Sequence, residues 1–208
     1  MTLIINRRTA TQAVIASLFS TPRSARAADE KEYPANRASR IQWFEAATAT
    51  KGLVGRLNVS KFLEQIYFLL DETRWVPPKK YASQFKDVVV PRGFVTDLAS
   101  IPAVFFSVLP KDAEYAHPAV IHDYLYWDQS TSRADADLIF KIAMEELEVG
   151  PKTVEAIYRA VSLFGGSTWK ENAALRASGE RRVLIKIPTV ADVRWSAWKT
   201  RPDVFGGK

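Results

Sequence analysis

Residues 117–147, "HPAVIHDYLYWDQSTSRADADLIFKIAMEEL", carry the fold and the chemistry of this chain. The stretch holds both histidines of the sequence, His117 and His122, with several aspartates and tyrosines around them. Pro118 suits a first helical turn, and Val120, Ile121, Tyr124 and Leu125 then fall on one side. Ser130-Thr131-Ser132 offers an N-cap. The helix that follows repeats apolar residues at Leu138, Ile139, Ile142, Ala143 and Leu147, and Gly150-Pro151 ends it. Residues four apart on a helix share a face, so His122 and Tyr126 sit one above the other. Asp123 is rotated by roughly 100° from His122 and is directed to a loop or an ion instead. Two antiparallel helices joined by a short loop bring Asp137 back towards His122.

Outward from this hairpin the texture changes in both directions. On the N-terminal side, "LVGRLNV", "QIYFLLDE", "TRWVPP" and "KDVVVPRGFV" are short, rich in β-branched and aromatic residues, and punctuated by Gly, Pro and acids. They predict strands of a small, mostly antiparallel sheet. Pro77-Pro78 and Pro91 stop strands or mark edges, and Gly93 fits a bulge or tight turn. On the C-terminal side, "PKTVEAIYRAVSLFGG" predicts a third helix with Pro at its start and Gly at its end. Beyond it, "ERRVLIKIP" reads as one strand and "RWSAWKTRPDVFGGK" as an aromatic-basic tail. The fold class is α+β, a small antiparallel sheet followed by a three-helix segment. One globular domain is expected over 53–180, with a C-terminal strand and tail over 181–208.

The first residues read differently. "MTLIINRRTATQAVIASLFSTPRSARAADE" starts basic at Arg7 and Arg8 and runs through a short apolar stretch. It reaches "SARA", with Ala25 and Ala27 in the positions that signal peptidase reads. Residues 1–27 are therefore expected to be a signal peptide and 28–52 a linker, which makes the protein exported, periplasmic or secreted. The paired arginines also allow twin-arginine export, but the residues after them are too polar to favour it. The net charge is +6. The leader holds four arginines and no acids, leaving 25 basic residues (29 less four) against 23 acidic ones, or +2. The basic balance thus belongs largely to the leader, and nucleic acid is not an expected partner. With no cysteine there is no disulfide, no thiolate nucleophile and no cysteine-bound zinc. Any metal must be held by oxygen or by the two histidines.

A histidine with an aspartate on one ring nitrogen has its tautomer and orientation set, and the other nitrogen is free to take a proton from water. That chemistry hydrolyses esters, and a cation beside it would polarise the carbonyl. It requires the imidazole to be gripped from behind by Asp137 while its front opens to solvent. The plainer reading is a buried polar seam, in which His122 is a satisfied core residue, Asp123 pairs with Arg133 and Asp137 caps its own helix. Asp97 divides evenly between a functional residue and turn chemistry, and His117 reads as a second ligand or, more readily, as a plain helix-start residue. Arg133 reads as a salt-bridge partner of Asp123, Asp135 or Asp137. Trp169, Trp195 and Trp198 with nearby basic residues suit either a membrane surface or packing on the core.

The blocks "GFVTDLASIP", "AVIHDYLY" and "SRADADLIF" resemble, in order and spacing, the bacterial and phage family catalogued as domain of unknown function 1353. The resemblance covers about residues 60–165. It implies no activity. More locally, "HDYLY" is similar to the H-D-x-x-Y helix of phospholipase A2 enzymes, and "DLIFKIAM" to the D-x-x-F-x-x-x-M helix of their prokaryotic members. That second resemblance implies His122 as general base, Asp123 as a calcium ligand, Asp137 as the carboxylate that orients His122, and Tyr126 as its support. It implies a lipid ester as substrate; the tryptophans and the expected export separately allow a membrane surface or a cell-envelope substrate as partner. The disulfides and the glycine-rich calcium loop of that family are absent here, and "RGFVTDLAS" is the nearest substitute, with Thr96 or Asp97 in reach of the site. The alternative function is a non-catalytic, phage-derived structural or interaction module held together by a buried His–Asp network.

Overall fold

The computed structural model describes residues 53–54, 57–97, 116–190 and 192–206. The expected signal peptide over 1–27 and the linker over 28–52 lie outside the described residues. The strands are short: β1 (Leu53–Val54), β2 (Val59–Lys61), β3 (Tyr67–Leu69), β4 (Thr73–Trp75), β5 (Val88–Val90) and β6 (Val95–Thr96). They are followed by helices α1 (Ala116–Asp128), α2 (Arg133–Glu146), α3 (Pro151–Ala177) and the single turn α4 (Trp195–Trp198). The architecture is α+β with antiparallel strands.

One expected sheet is two. β4 lies between β1 and β5, and β3 lies between β2 and β6. The turn at Leu70-Asp71-Glu72 sends the chain from one sheet into the other instead of returning it beside β3. In β4 the pleat buries Thr73 and Trp75 and exposes Arg74, the period-2 pattern of a strand with one wet face. Its register sets Thr73 opposite Val90 and Trp75 opposite Val88.

α1 is the centre of the molecule. Every residue from His117 to Trp127 except Tyr124 is buried. The stripe expected on one side therefore becomes burial on nearly all sides, because the helix packs against α2, α3, β5 and β6. Val120, Ile121 and Leu125 join Leu69, Trp75, Val90 and Phe94 of the strand region in the main core. Ala119 and Phe140 face the α2–α3 side with Val154, Ile157 and Val161.

One C-terminal expectation is corrected and one open alternative is decided. Residues 181–187 form no continuous strand. They cross the sheet through single bridges, Phe94 to Val183 and Leu184 to Phe205. Gly93, at φ +82°, makes that crossing possible, since a Cβ there would overlap the Leu184 carbonyl. Leu184 N–H in turn donates to the Gly93 carbonyl at 2.9 Å. Trp195 and Trp198 do not line a surface. Both are buried with Phe62, Phe68 and Val204, and Glu64 accepts from the Trp195 amide at 2.9 Å.

The third helix does not stop at Gly165-Gly166 but runs on to Ala177. Its second half clamps the C-terminal end of α1, where the last carbonyls lack helical partners. Asn172 Nδ2 donates to the Tyr126 carbonyl at 3.1 Å and Arg176 to the Asp128 carbonyl at 2.5 Å. Gln129, at φ 54°, donates back to the Trp169 carbonyl at 2.7 Å.

Candidate functional site

Asp137 is the hub of the site. It rides on the second turn of α2, a helix whose start is set by Ser132. The Ser132 hydroxyl accepts from the Asp135 amide at 3.1 Å and donates to the Asp135 carboxylate at 2.7 Å. With the cap supplied by Ser132, Asp137 is free to point inward, where it is 2% exposed. Its Oδ1 accepts from Tyr126 Oη at 2.6 Å and meets His122 Nε2 at 3.0 Å. Its Oδ2 accepts from Arg133 NH1 at 3.2 Å. The same arginine nitrogen donates to the Ser162 carbonyl of α3 at 3.0 Å, so the network ties all three long helices together.

The helix hairpin thus brings together His122, Tyr126 and Asp137. Arg133 pairs with Asp137, one of the three partners open to it in sequence, and Asp123 takes a different one. Asp123, nearly buried, accepts from the hydroxyl of Thr96 in β6, which fastens α1 to the second sheet. Asp97 follows at the exposed end of that strand. His117 lies in the first turn of α1, as read, but is not solvent-exposed. It is buried against the hydroxyl of Thr73 in β4, so each histidine of the chain joins α1 to a different neighbour.

One requirement of the hydrolase expectation is met and one is not. The imidazole of His122 is held from behind by Asp137, but its front does not open to solvent, because the residue is 1% exposed. Phe140 stacks on the ring at 4.6 Å and 20°, and the Tyr126 ring lies 4.2 Å away on a tilt. What remains is the second ring nitrogen. Nδ1 is buried and has no hydrogen-bond partner among the described residues. Buried polar groups are almost always paired, so an orphan of this kind asks for a reason.

The electrostatics define its state. Burial pulls the His122 pKa below its ordinary value, and the hydrogen bond and charge of Asp137 oppose that without overcoming it. Arg133 already neutralises Asp137, which leaves less carboxylate charge to stabilise an imidazolium. The ring is therefore neutral at pH 7. Asp137 can only accept, so Nε2 carries the hydrogen and Nδ1 the free lone pair. Burial, with Asp137 second, also raises the Tyr126 phenol well above its ordinary value and keeps it a donor.

Sequence reasoning named Phe140 only within the D-x-x-F-x-x-x-M motif, did not pair Thr96 with Asp123, and read Gly165 as a helix end. Phe140 was legible, since it lies three residues after Asp137 on the same helix face. Thr96 and Gly165 act across long sequence separations and left only generic signals, a hydroxyl on a strand and a glycine inside a helical pattern.

Among the described residues no three of the His, Asp and Glu side chains converge on one point as metal ligands would. Calcium takes six to eight oxygens. Among the described residues Asp123 and the Thr96 hydroxyl supply only part of that set.

The class defined by fold and site is an α+β domain built around a buried His–Asp–Tyr–Arg network on a helix hairpin. Residues 75–161 match the model of the family described as "Protein of unknown function (DUF1353)". The match takes in all three blocks of the sequence resemblance, including β6, α1 and α2. No curated protein and no solved structure matches the chain.

Proposed function

We propose that the protein is a hydrolase in which Nδ1 of His122 is the general base. The single observation that supports this reading is the pairing of a locked Nε2, 3.0 Å from Asp137, with an Nδ1 that has no partner among the described residues, on a neutral ring. In the reaction, Nδ1 takes a proton from water as the water oxygen adds to an ester carbonyl carbon. The Nε2–H bond to Asp137 then stabilises the imidazolium. Collapse of the tetrahedral intermediate breaks the carbonyl carbon–alkoxide bond, and the proton passes from Nδ1 to the leaving oxygen. With the ring 1% exposed, this reading requires a local opening that admits water and ester to Nδ1. A lipid ester is the substrate that the phospholipase A2 resemblance suggests. Export through the leader, on the sequence reading, would place that substrate at a membrane or elsewhere in the cell envelope. Calcium at Asp123, with Asp97 as a second oxygen source, belongs to the same resemblance and is tested by calorimetric titration of wild type against Asp123→Asn.

The same 1% exposure favours a second reading. In it the network is a lock between helices in a non-catalytic structural or interaction module of phage origin. His122→Gln separates the two, because the amide keeps a donor towards Asp137 and removes the base. On the hydrolase reading this variant melts within a few degrees of wild type and loses at least about a hundredfold in ester turnover, the usual scale of general-base catalysis. Assays on soluble nitrophenyl esters and on phospholipid vesicles would decide it. Wild-type protein without turnover on either substrate class, with or without calcium, would overturn the hydrolase reading.

A further inference from the structure

Gly165 stands in the middle of a 27-residue helix, where glycine is a poor choice and no turn requires it. Its neighbour Gly166 is equally misplaced by propensity. The space around them differs. A Cβ on Gly166 would meet nothing within 4 Å. A Cβ on Gly165 would overlap the hydroxyl oxygen of Tyr126 and lie 3.1 Å from Cζ and 3.3 Å from Cε1 of the same ring.

Tyr126 has little room to yield. Its hydroxyl is bonded to Asp137 at 2.6 Å. Its ring stands edge-on to Trp169 at 5.2 Å and beside His122 at 4.2 Å. Its own carbonyl is held by Asn172, one of three contacts by which the second half of α3 grips the end of α1. The backbone of α3 therefore closes over the phenol oxygen, and only a residue without a side chain lets it come that near.

We infer that Gly165 is a positioning residue for the His122–Asp137 pair: it lets α3 press the Tyr126 hydroxyl onto Asp137 and so sets how much of that carboxylate is left to hold His122. This deepens the reading of the same site as a base, on which its catalytic meaning rests, but the mechanical coupling is measurable without turnover.

The experiment uses four variants of the full chain: Gly165→Ala, Gly166→Ala, Tyr126→Phe and the double variant Gly165→Ala/Tyr126→Phe. Two readouts are taken, thermal unfolding and the ¹⁵N imidazole spectrum, in which only His117 and His122 contribute. Gly166→Ala should match or exceed wild type in Tm and leave the His122 signals unmoved. Gly165→Ala should lower Tm by roughly 5 °C, as overpacking of a buried contact does in a chain of this size. It should also shift the His122 Nε2 and Nδ1 resonances. In the Tyr126→Phe background, where the overlapping oxygen is gone, adding Gly165→Ala should cost at most about 1 °C. A Gly165→Ala protein that behaves like Gly166→Ala would overturn the inference, and so would a Tm loss that persists undiminished in the Tyr126→Phe background. If Gly165→Ala is too unstable to study, the double variant alone decides: recovery of a folded protein supports the coupling, and failure to fold refutes it. Loss of the hydrolase reading leaves these shifts intact, whereas unmoved spectra beside preserved turnover would sink the positioning role alone.

Discussion

A carboxylate that accepts from a phenol, an imidazole and a guanidinium at once cannot be removed cleanly. Asp137→Ala would leave the Tyr126 hydroxyl and the Nε2–H of His122 buried without acceptors. A loss of roughly 3 kcal/mol in unfolding free energy is expected by denaturant titration. Tyr126→Phe removes one bond and leaves Asp137 with two donors, so about 1 kcal/mol is the expected loss. On the hydrolase reading, the pH dependence of turnover follows from the lowered His122 pKa. A base must be neutral to act. The acid limb of the kcat/KM profile should therefore fall below the ordinary histidine value of about 6.5 rather than at or above it.

At the scale of elements, α1 is held by its partners more than by its own amphipathicity. Its N-terminal end is joined to β4 through His117 and Thr73, its middle to β6 through Asp123 and Thr96, and its C-terminal end to α3 through Asn172. Asn172→Ala leaves the Tyr126 carbonyl without its side-chain donor in a buried position. It should cost about 1–2 kcal/mol while sparing the helices' own hydrogen bonds. α2 depends on its cap. Ser132→Ala should cost about 1 kcal/mol, measured by denaturant unfolding, and should loosen the first turns that carry Arg133 and Asp137.

At the scale of the whole molecule, both histidines are buried neutral, and this couples global stability to acid. Burial lowers His117 from 6.5 to about 4, and it lowers His122 in the same direction. The unfolded chain binds these protons near pH 6.5, and the folded chain resists them. The stabilisation is therefore fully present above pH 6.5 and is lost as pH falls towards 4. For His117 alone the loss is about 3 kcal/mol. Unfolding free energy measured from pH 7.5 to pH 4 should fall steadily, and His117→Asn should flatten the curve. The C-terminal segment makes a separate contribution at this scale. Trp195 and Trp198 bury against Phe62 and Phe68, so residues far apart in sequence close the second sheet.

The sequence by itself determined the strand-then-helix order, the helix hairpin, an N-cap within Ser130–Ser132 and the meeting of His122, Tyr126 and Asp137. Each follows from local spacing, since helical periodicity and a short loop leave few ways to arrange those three side chains. The tertiary structure alone decided that the strands divide into two sheets, that α3 runs through its glycines and that the imidazole is sealed. Those outcomes depend on which surfaces meet across the fold. A glycine reads as a helix end until the phenol pressed against it is seen, and a histidine reads as open until its neighbours are in place.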